Sequence, residues 1–200
     1  MILPRKFYLR PTLPVAKDLL GKYLVYKNKS AKIIEVEAYV GQKDLACHAS
    51  KGKTKRNEAM FLDGGHIYIY LIYGIYHCLN IVTGKKDHPE AVLIRALEYE
   101  DCDGPGKLCR KFGLTRAQNG LDLTTPLKVN PEQSRGIDLT KGPIYIEDRG
   151  VIIPKNQIIS TPRIGVAYAG KWAKKPWRFL VSDSKFLSRK QRCKTKSKFP

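Results

Sequence analysis

The sequence predicts an α+β fold: a single compact domain with a curved antiparallel β-sheet, a protruding β-hairpin and peripheral short helices. Three observations predict it. β-branched and aromatic runs fill the first half of the chain and follow one another across short turns, which implies antiparallel pairing. The helical patterns are few and short. Two hundred residues, 42% of them hydrophobic, suffice for one domain with a sizeable core.

The elements follow in order. Residues 12–21 carry apolar side chains at helical spacing, with Val15, Leu19 and Leu20 on one side and Gly21 as the stop. Residues 22–28 and 32–40 read as strands joined in a hairpin at Asn28-Lys29-Ser30. Residues 41–58 lack periodicity, and with Lys43, Lys51, Lys53, Lys55 and Arg56 they read as an exposed basic loop. Residues 66–73 and 76–83 form a second hairpin about Gly74; if its connection has three residues, Tyr70 lies opposite Asn80. Residues 91–98 suit a buried strand. Gly104-Pro105 opens a short helix through Lys107, Leu108 and Phe112, with the proline in its first turn. The polar stretch 114–142 reads as short helices and loops, and 143–147 and 177–181 as further strands. The domain is therefore placed at residues 1–185, and 186–200 as a basic, disordered tail with too little apolar content to pack.

The charge balance narrows the partners. The chain has 37 Lys+Arg against 18 Asp+Glu, a formal net charge of +19. Such a chain seeks phosphates, on nucleic acid or an anionic membrane. No apolar run approaches the length of a spanning helix, and the N-terminal segment has charges and prolines where a signal peptide needs an unbroken apolar stretch. Cysteines 47, 78, 102, 109 and 193 are an odd number without a dense framework, which fits free thiols in a reducing cytosol.

Strand alternation puts Glu35, Glu37 and Tyr39 on one face and Ile34, Val36 and Ala38 on the other. The first face is either a cleft wall with a general base or a solvated face with ion pairs. In the second hairpin Tyr68 and Tyr70 share a face, as do Tyr76, Cys78 and Asn80; this is either a base-stacking surface or an aromatic sheet core. Tyr73, beside Gly74 at the tip, has a less natural core role and suits entry into a stacked duplex. The dipeptides Cys47-His48 and His77-Cys78 lack zinc-ligand spacing, so no metal is expected. There is no phosphate-binding or dinucleotide-binding glycine motif and no serine nucleophile elbow.

These residues resemble the alkyladenine (3-methyladenine) DNA glycosylase family. The resemblance is carried by Glu35-Val36-Glu37-Ala38-Tyr39-Val40-Gly41, Ala46-Cys47-His48, Arg56-Asn57, Met60-Phe61, the run Tyr68 to Asn80, Leu93-Ile94-Arg95-Ala96-Leu97-Glu98, Gly104 to Cys109, Arg163-Ile164-Gly165 and Gly170 to Phe179. It runs in order from about residue 7 to about 181. It implies hydrolysis of the N-glycosidic bond of damaged purines in double-stranded DNA, with the nucleotide flipped out of the stack. The substrates implied are 3-methyladenine, 7-methylguanine, hypoxanthine and ethenoadenine. It also implies a fold without a helix-hairpin-helix.

By that resemblance Glu37 is the general base, Arg95 helps hold the attacking water, and the backbone carbonyl of Ile164 is another partner of that water. Glu35 matches no catalytic position and remains a solvated strand-face carboxylate. Tyr39, His48 and Tyr70 sandwich the flipped base, Ala46 and Leu93 line its site, and Asn80 crowds the exocyclic amine of guanine. Tyr73 fills the gap in the duplex beside Ile75, which stands where some relatives have methionine. Lys53, Arg56 and Lys107 are assigned to the DNA backbone. No lysine matches a catalytic position, so no lyase activity is expected, and no metal or organic cofactor. The implied protein is a monomer of the bacterial cytosol or nucleoid. Two other readings share the stacking surface: a nucleic-acid binder that does not cut, and an RNA-acting protein. Glu37, Arg95 and the segment at Ile164 argue against the first, and a duplex-filling Tyr73 against the second.

Overall fold

The computed structural model describes residues 1–125, 144–182 and 184–188. The readings that fall on 126–143 and on the tail 189–200 lie outside those residues. Among the described residues eight strands form one antiparallel sheet: β1 (Tyr23–Tyr26), β2 (Lys29–Tyr39), β3 (Ile67–Ile72), β4 (Tyr76–Thr83), β5 (Glu90–Leu97), β6 (Ile144–Glu147), β7 (Ile158–Thr161) and β8 (Arg178–Val181). The order is β3-β4-β5-β2-β1-β6, with β8 pairing both β2 and β7. Three α-helices of the described residues flank it: α1 (Arg5–Tyr8), α2 (Thr12–Leu19) and α3 (Pro105–Phe112). The α+β class with a curved antiparallel sheet, a hairpin and short helices is what the sequence predicts. The sequence reading missed α1, β7 and the short 3-10 turns such as Glu58–Phe61.

β2 organises the sheet. Its first residues pair with β1, while the rest pairs with β5 on one side and, over Glu35–Glu37, with β8 on the other. One face of β2–β5 carries Val36, Ala38, Ile67, Ile69, Leu79, Ile81, Val92 and Ile94 into the main core. There α2 adds Val15 and Leu19, and α3 adds Leu108, Cys109 and Phe112. Each fully buried aliphatic side chain contributes about 1.5–3 kcal/mol. The opposite face is bounded by the pairs Tyr68↔Asn80, Asn80↔Leu93, Leu93↔Glu37 and Glu37↔Arg178. Directly paired residues share a face, so this register sets an amide, an aromatic and charges in one continuous row.

Two expectations about turns need correction. The first hairpin turns at Lys27-Asn28, not Asn28-Lys29-Ser30, because β2 begins at Lys29, paired with Tyr26, and Lys27 takes a left-handed φ of 53°. The second connection does have three residues, Tyr73–Ile75. Counting back from Ile72↔Tyr76, however, Tyr70 meets Cys78 and Tyr68 meets Asn80. Among the described residues no helix is long and apolar enough to cross a membrane.

Gly64 marks a close approach that fixes α1 to the sheet. Its N–H donates to the Gly84 carbonyl, and the Gly84 N–H donates to the Tyr8 carbonyl. A Cβ at residue 64 would lie 2.7 Å from the Tyr8 oxygen and 2.9 Å from that of Gly84. Both are backbone atoms that cannot rotate away. Gly64→Ala is expected to destabilise the protein by about 1–3 kcal/mol, read as a lower urea midpoint with an unchanged slope.

Candidate active site

The row of polar strand residues opens onto a cavity of about 690 Å³. Its walls come from four directions: Tyr68, Tyr70, Cys78 and Asn80 of the β3–β4 hairpin, Leu93 and Arg95 of β5, Tyr39 with the loop at Ala46 and His48, and the Ile164–Tyr168 segment. The N-terminus of α3, with Gly104 and Lys107, closes another side. Most residues singled out by the resemblance are thus brought together, although they span positions 39 to 164.

Glu37 differs from the expectation. It is fully buried and does not line the cavity. Three cavity residues stand between it and the opening. The Tyr39 hydroxyl donates to its Oε2 at 2.8 Å, and the Ile164 N–H to its Oε1 at 2.8 Å. Arg95 Nη1 lies 3.2 Å from Oε1. Ile164 therefore meets Glu37 through its N–H, a contact the sequence reading did not foresee. Burial and the nearby Glu37 charge hold the Tyr39 hydroxyl well above its ordinary value, so it stays a donor.

Glu35 corrects half of its assignment: the ion pairs are there, the solvation is not. It is fully buried, not solvated. Its Oε1 accepts from Arg95 Nε (2.9 Å), Arg178 Nε (2.7 Å) and the Ser188 hydroxyl (2.6 Å), and its Oε2 accepts from the Ser188 N–H (2.7 Å). Burial alone would raise its pKa, but the hydrogen bonds from Arg178 and Ser188 outweigh that and hold it low. The solvated reading failed because β8 and the segment after it cover a β2 face that alternation leaves open.

The loop 41–58 is also not simply exposed. The charged stretch 51–56 is largely in solvent, but two buried side chains nail the loop down. Asp44 accepts the Ala46 N–H at 3.1 Å and two bonds from Arg163, at 2.5 and 2.8 Å. Asn57 donates to the carbonyls of His48 and Gly52. Arg163 also donates to the Ala38 carbonyl at 2.9 Å, and its guanidinium carbon lies 4.7 Å from the centre of the Tyr39 ring. One buried ion pair thus sets the loop that bears Ala46 and His48, the strand end that bears Tyr39, and the segment that bears Ile164. Sequence reasoning gave Asp44 no role, because its partner lies 119 positions away.

The His48 and Tyr70 rings meet edge to face, centroids 4.4 Å apart. His48 Nδ1 is 2.9 Å from the Tyr68 hydroxyl. Burial, then the Arg56 guanidinium, holds His48 below its ordinary pKa, so the imidazole is neutral near neutral pH. Both amide donors of Asn80 go to backbone carbonyls, of Tyr68 and Cys78, so what the amide has left for a ligand is its oxygen. At the hairpin tip Tyr73 is 85% exposed with a left-handed φ of 53°, and Ile75 is 67% exposed. Tyr168, at 72% exposure, stands on the Ile164 side of the cavity and was missed by the sequence reading.

The three backbone-assigned cations differ in setting. Lys107 lines the cavity and pairs with Asp103 at 2.8 Å. Arg56 donates to the Leu71 carbonyl at 3.0 Å and, with Lys55 and Arg116, lines a smaller groove along β3. Lys53 sits over the Phe61 ring. Among the described residues no group of three or more His, Cys, Asp or Glu side chains could hold a metal ion.

A family model described as Methylpurine-DNA glycosylase (MPG) matches residues 6–185, and the chain belongs to that family of DNA repair glycosylases. Its relatives include a protein of Bdellovibrio bacteriovorus, 45% identical over 95% of this chain and 100% of the relative. One of Methanocella arvoryzae is 44% identical over 94% and 96%. One of Legionella pneumophila is 43% identical over 94% and 98%. All three carry the name "Putative 3-methyladenine DNA glycosylase".

The Arg163–Asp44 pair yields a stability prediction. Asp44→Asn leaves a fully buried guanidinium without its counter-charge and is expected to cost about 3–5 kcal/mol in a urea titration. Lys107→Ala, which breaks an exposed pair, is expected to cost less than about 1 kcal/mol.

Proposed function

We propose that this protein is a monofunctional DNA glycosylase of base excision repair, acting as a monomer in the cytosol or nucleoid. It flips alkylated or deaminated purines, of the 3-methyladenine, 7-methylguanine, hypoxanthine and ethenoadenine class, out of double-stranded DNA and hydrolyses the N-glycosidic bond. The observation that carries the reading is the Glu37 carboxylate, held by Arg95, the Ile164 N–H and the Tyr39 hydroxyl directly behind an aromatic cavity. A buried carboxylate held by two donors and a guanidinium, all from residues that face a cavity, is aligned for work at that cavity.

His48 and Tyr70 touch each other, so no base fits between them. They form one wall of the stack and Tyr39 the other. Alkylation at N3 or N7 makes the purine cationic. Each aromatic face then offers a cation–π attraction of about 0.5–2 kcal/mol. Ala46 and Leu93 fill the remaining walls, and Asn80 sets its amide against the exocyclic amine of guanine.

In the reaction, water enters where Arg95 and Ile164 meet the cavity. Its oxygen bonds to the anomeric carbon as the bond to the purine breaks. The bonding electrons leave with the base, which turns a cationic purine into a neutral leaving group; a neutral purine such as hypoxanthine leaves as its anion and takes a proton from solvent. Glu37, reached between the three residues that screen it, takes the proton from water and stabilises the positive charge developing on the sugar. The nucleophile is water, so no lysine adduct forms and the strand stays intact. The basic residues Lys53, Arg56 and Lys107 hold the backbone. Tyr73 occupies the vacated place in the duplex; its strained backbone and exposure are what a wedge held ready for a stack requires.

Base release from methylated duplex DNA by purified protein tests the reading. Glu37→Gln is expected to slow release by on the order of 10²- to 10⁴-fold. No release by the wild type removes the enzymatic reading, and equal release by both removes Glu37 from its role. Tyr73→Ala is expected to lower flipping, followed by a fluorescent base beside the lesion, by on the order of tenfold, with a smaller loss of affinity for undamaged duplex. Parallel losses of both exclude the wedge.

A further inference from the structure

Four buried charges run in sequence beneath the cavity: Arg178, Glu35, Arg95 and Glu37. Glu35, and the Ser188 that bonds to it, have no part in the chemistry proposed above. Glu35 cannot touch a substrate, because it is fully buried and does not line the cavity. Ser188 does line the cavity, yet it follows the last strand and lies beyond the family match, which ends at residue 185.

Their contacts converge on one group. Every nitrogen of the Arg95 guanidinium has a partner: Nε donates to Glu35 Oε1 at 2.9 Å and more weakly to the Ser188 hydroxyl at 3.4 Å, Nη1 faces Glu37 Oε1 at 3.2 Å, and Nη2 donates to the Ser188 hydroxyl at 3.2 Å. The Ser188 hydroxyl donates its own hydrogen bond to Glu35 Oε1 at 2.6 Å, and its backbone N–H donates to the other Glu35 oxygen at 2.7 Å. Arg178, itself buried, holds Glu35 from the far side at 2.7 Å. The β2–β5 register shifts locally at Glu35, beside Arg95, the kind of irregularity that re-aims a side chain.

We propose that Glu35 and Ser188 are positioning residues for base excision, fixing the Arg95 guanidinium against Glu37. The proposal rests on the hydrolytic reading above. A guanidinium is planar, so three partners on its three nitrogens fix both its rotation and its tilt. Arg95 borders an open cavity, and without the Ser188 hydroxyl its Nη2 turns outward to find water. The Glu37 carboxylate then loses its fixed counter-charge on the side from which water approaches. A loss of about 0.5 Å or 10–20° in such a constellation is enough to be felt in rate.

Ser188→Ala and Ser188→Thr test this, because both keep the backbone N–H to Glu35 and only one keeps a hydroxyl. Both are compared with the wild type at a temperature where circular dichroism shows all three folded. In single-turnover excision from methylated duplex, Ser188→Ala is expected to be slower by on the order of tenfold, the loss of one charge-assisted hydrogen bond. Its affinity for undamaged duplex, set by phosphate contacts, is expected to change by less than about twofold. Ser188→Thr is expected to recover most of the rate. Wild-type rates in Ser188→Ala, or equal slowing in both variants, overturn the proposal. Solvent exchange of the Arg95 Nε–H, followed by NMR without DNA, reads the clamp independently of catalysis: slow in the wild type and Ser188→Thr, faster in Ser188→Ala. Equal exchange in all three overturns the clamp. Absence of base release by the wild type overturns the hydrolytic reading instead, and with it the role in excision.

Discussion

The structure depends on pairing four buried charges. Burying a carboxylate or a guanidinium costs several kcal/mol even after relaxation, and the cost is recovered only when every partner is in place. Here two carboxylates and two guanidiniums alternate, so the sequence Arg178–Glu35–Arg95–Glu37 carries no net charge. The geometry that permits this is the sheet register. Glu37 sits opposite Leu93 on one side and Arg178 on the other, and Glu35 opposite Ala96 and Leu180. A one-residue slip of β2 would send both carboxylates into the aliphatic core. The eleven-residue length of β2, paired at different points with β1, β5 and β8, makes such a slip costly.

The second buried pair does for the loops what the first does for the strands. Arg163 and Asp44 tie the end of β2 to two loop segments that have no sheet pairing to order them. The Tyr39 ring is backed by the Arg163 guanidinium on one side, and its hydroxyl is held by Glu37. A side chain so constrained loses little further freedom when a flat ring settles on it. The hairpin tip follows the opposite logic. Tyr73 and Ile75 are held by little beyond their own turn and remain open to solvent.

Much of this was legible in the chain. Alternation in 35–39 and 68–80 identified the strand face that bears the site, and the position of Tyr73 beside Gly74 identified the tip. What the sequence could not convey is closure. Glu35 reads as a surface carboxylate because nothing local announces that β8 and Ser188 will cover it. Ser188 reads as the start of a solvated tail because it sits among charged residues with little apolar content. Asp44 lies in a lysine-bearing loop, and its meaning comes from Arg163 across the fold. The swap of Tyr68 and Tyr70 across from Asn80 was a matter of counting from the turn, and the strand face itself was right. Periodicity reports which way a side chain points, not what will arrive to meet it.

The electrostatics carry a further consequence. The chain as a whole, at +19, attracts a polyanion. The same field would repel the cationic purine that the proposed reaction takes. The site answers this locally. Its charged floor is neutral in sum, because each guanidinium is matched by a carboxylate. His48, held below its ordinary pKa by burial and Arg56, contributes no positive charge near neutral pH. What the cavity presents instead is aromatic surface and the oxygen of Asn80, both attractive to a cation. The two demands are met by segregation: positive charge on the exposed stretch 51–56 and in the groove along β3, where phosphates run, and compensated charge beneath the pocket, where the base enters.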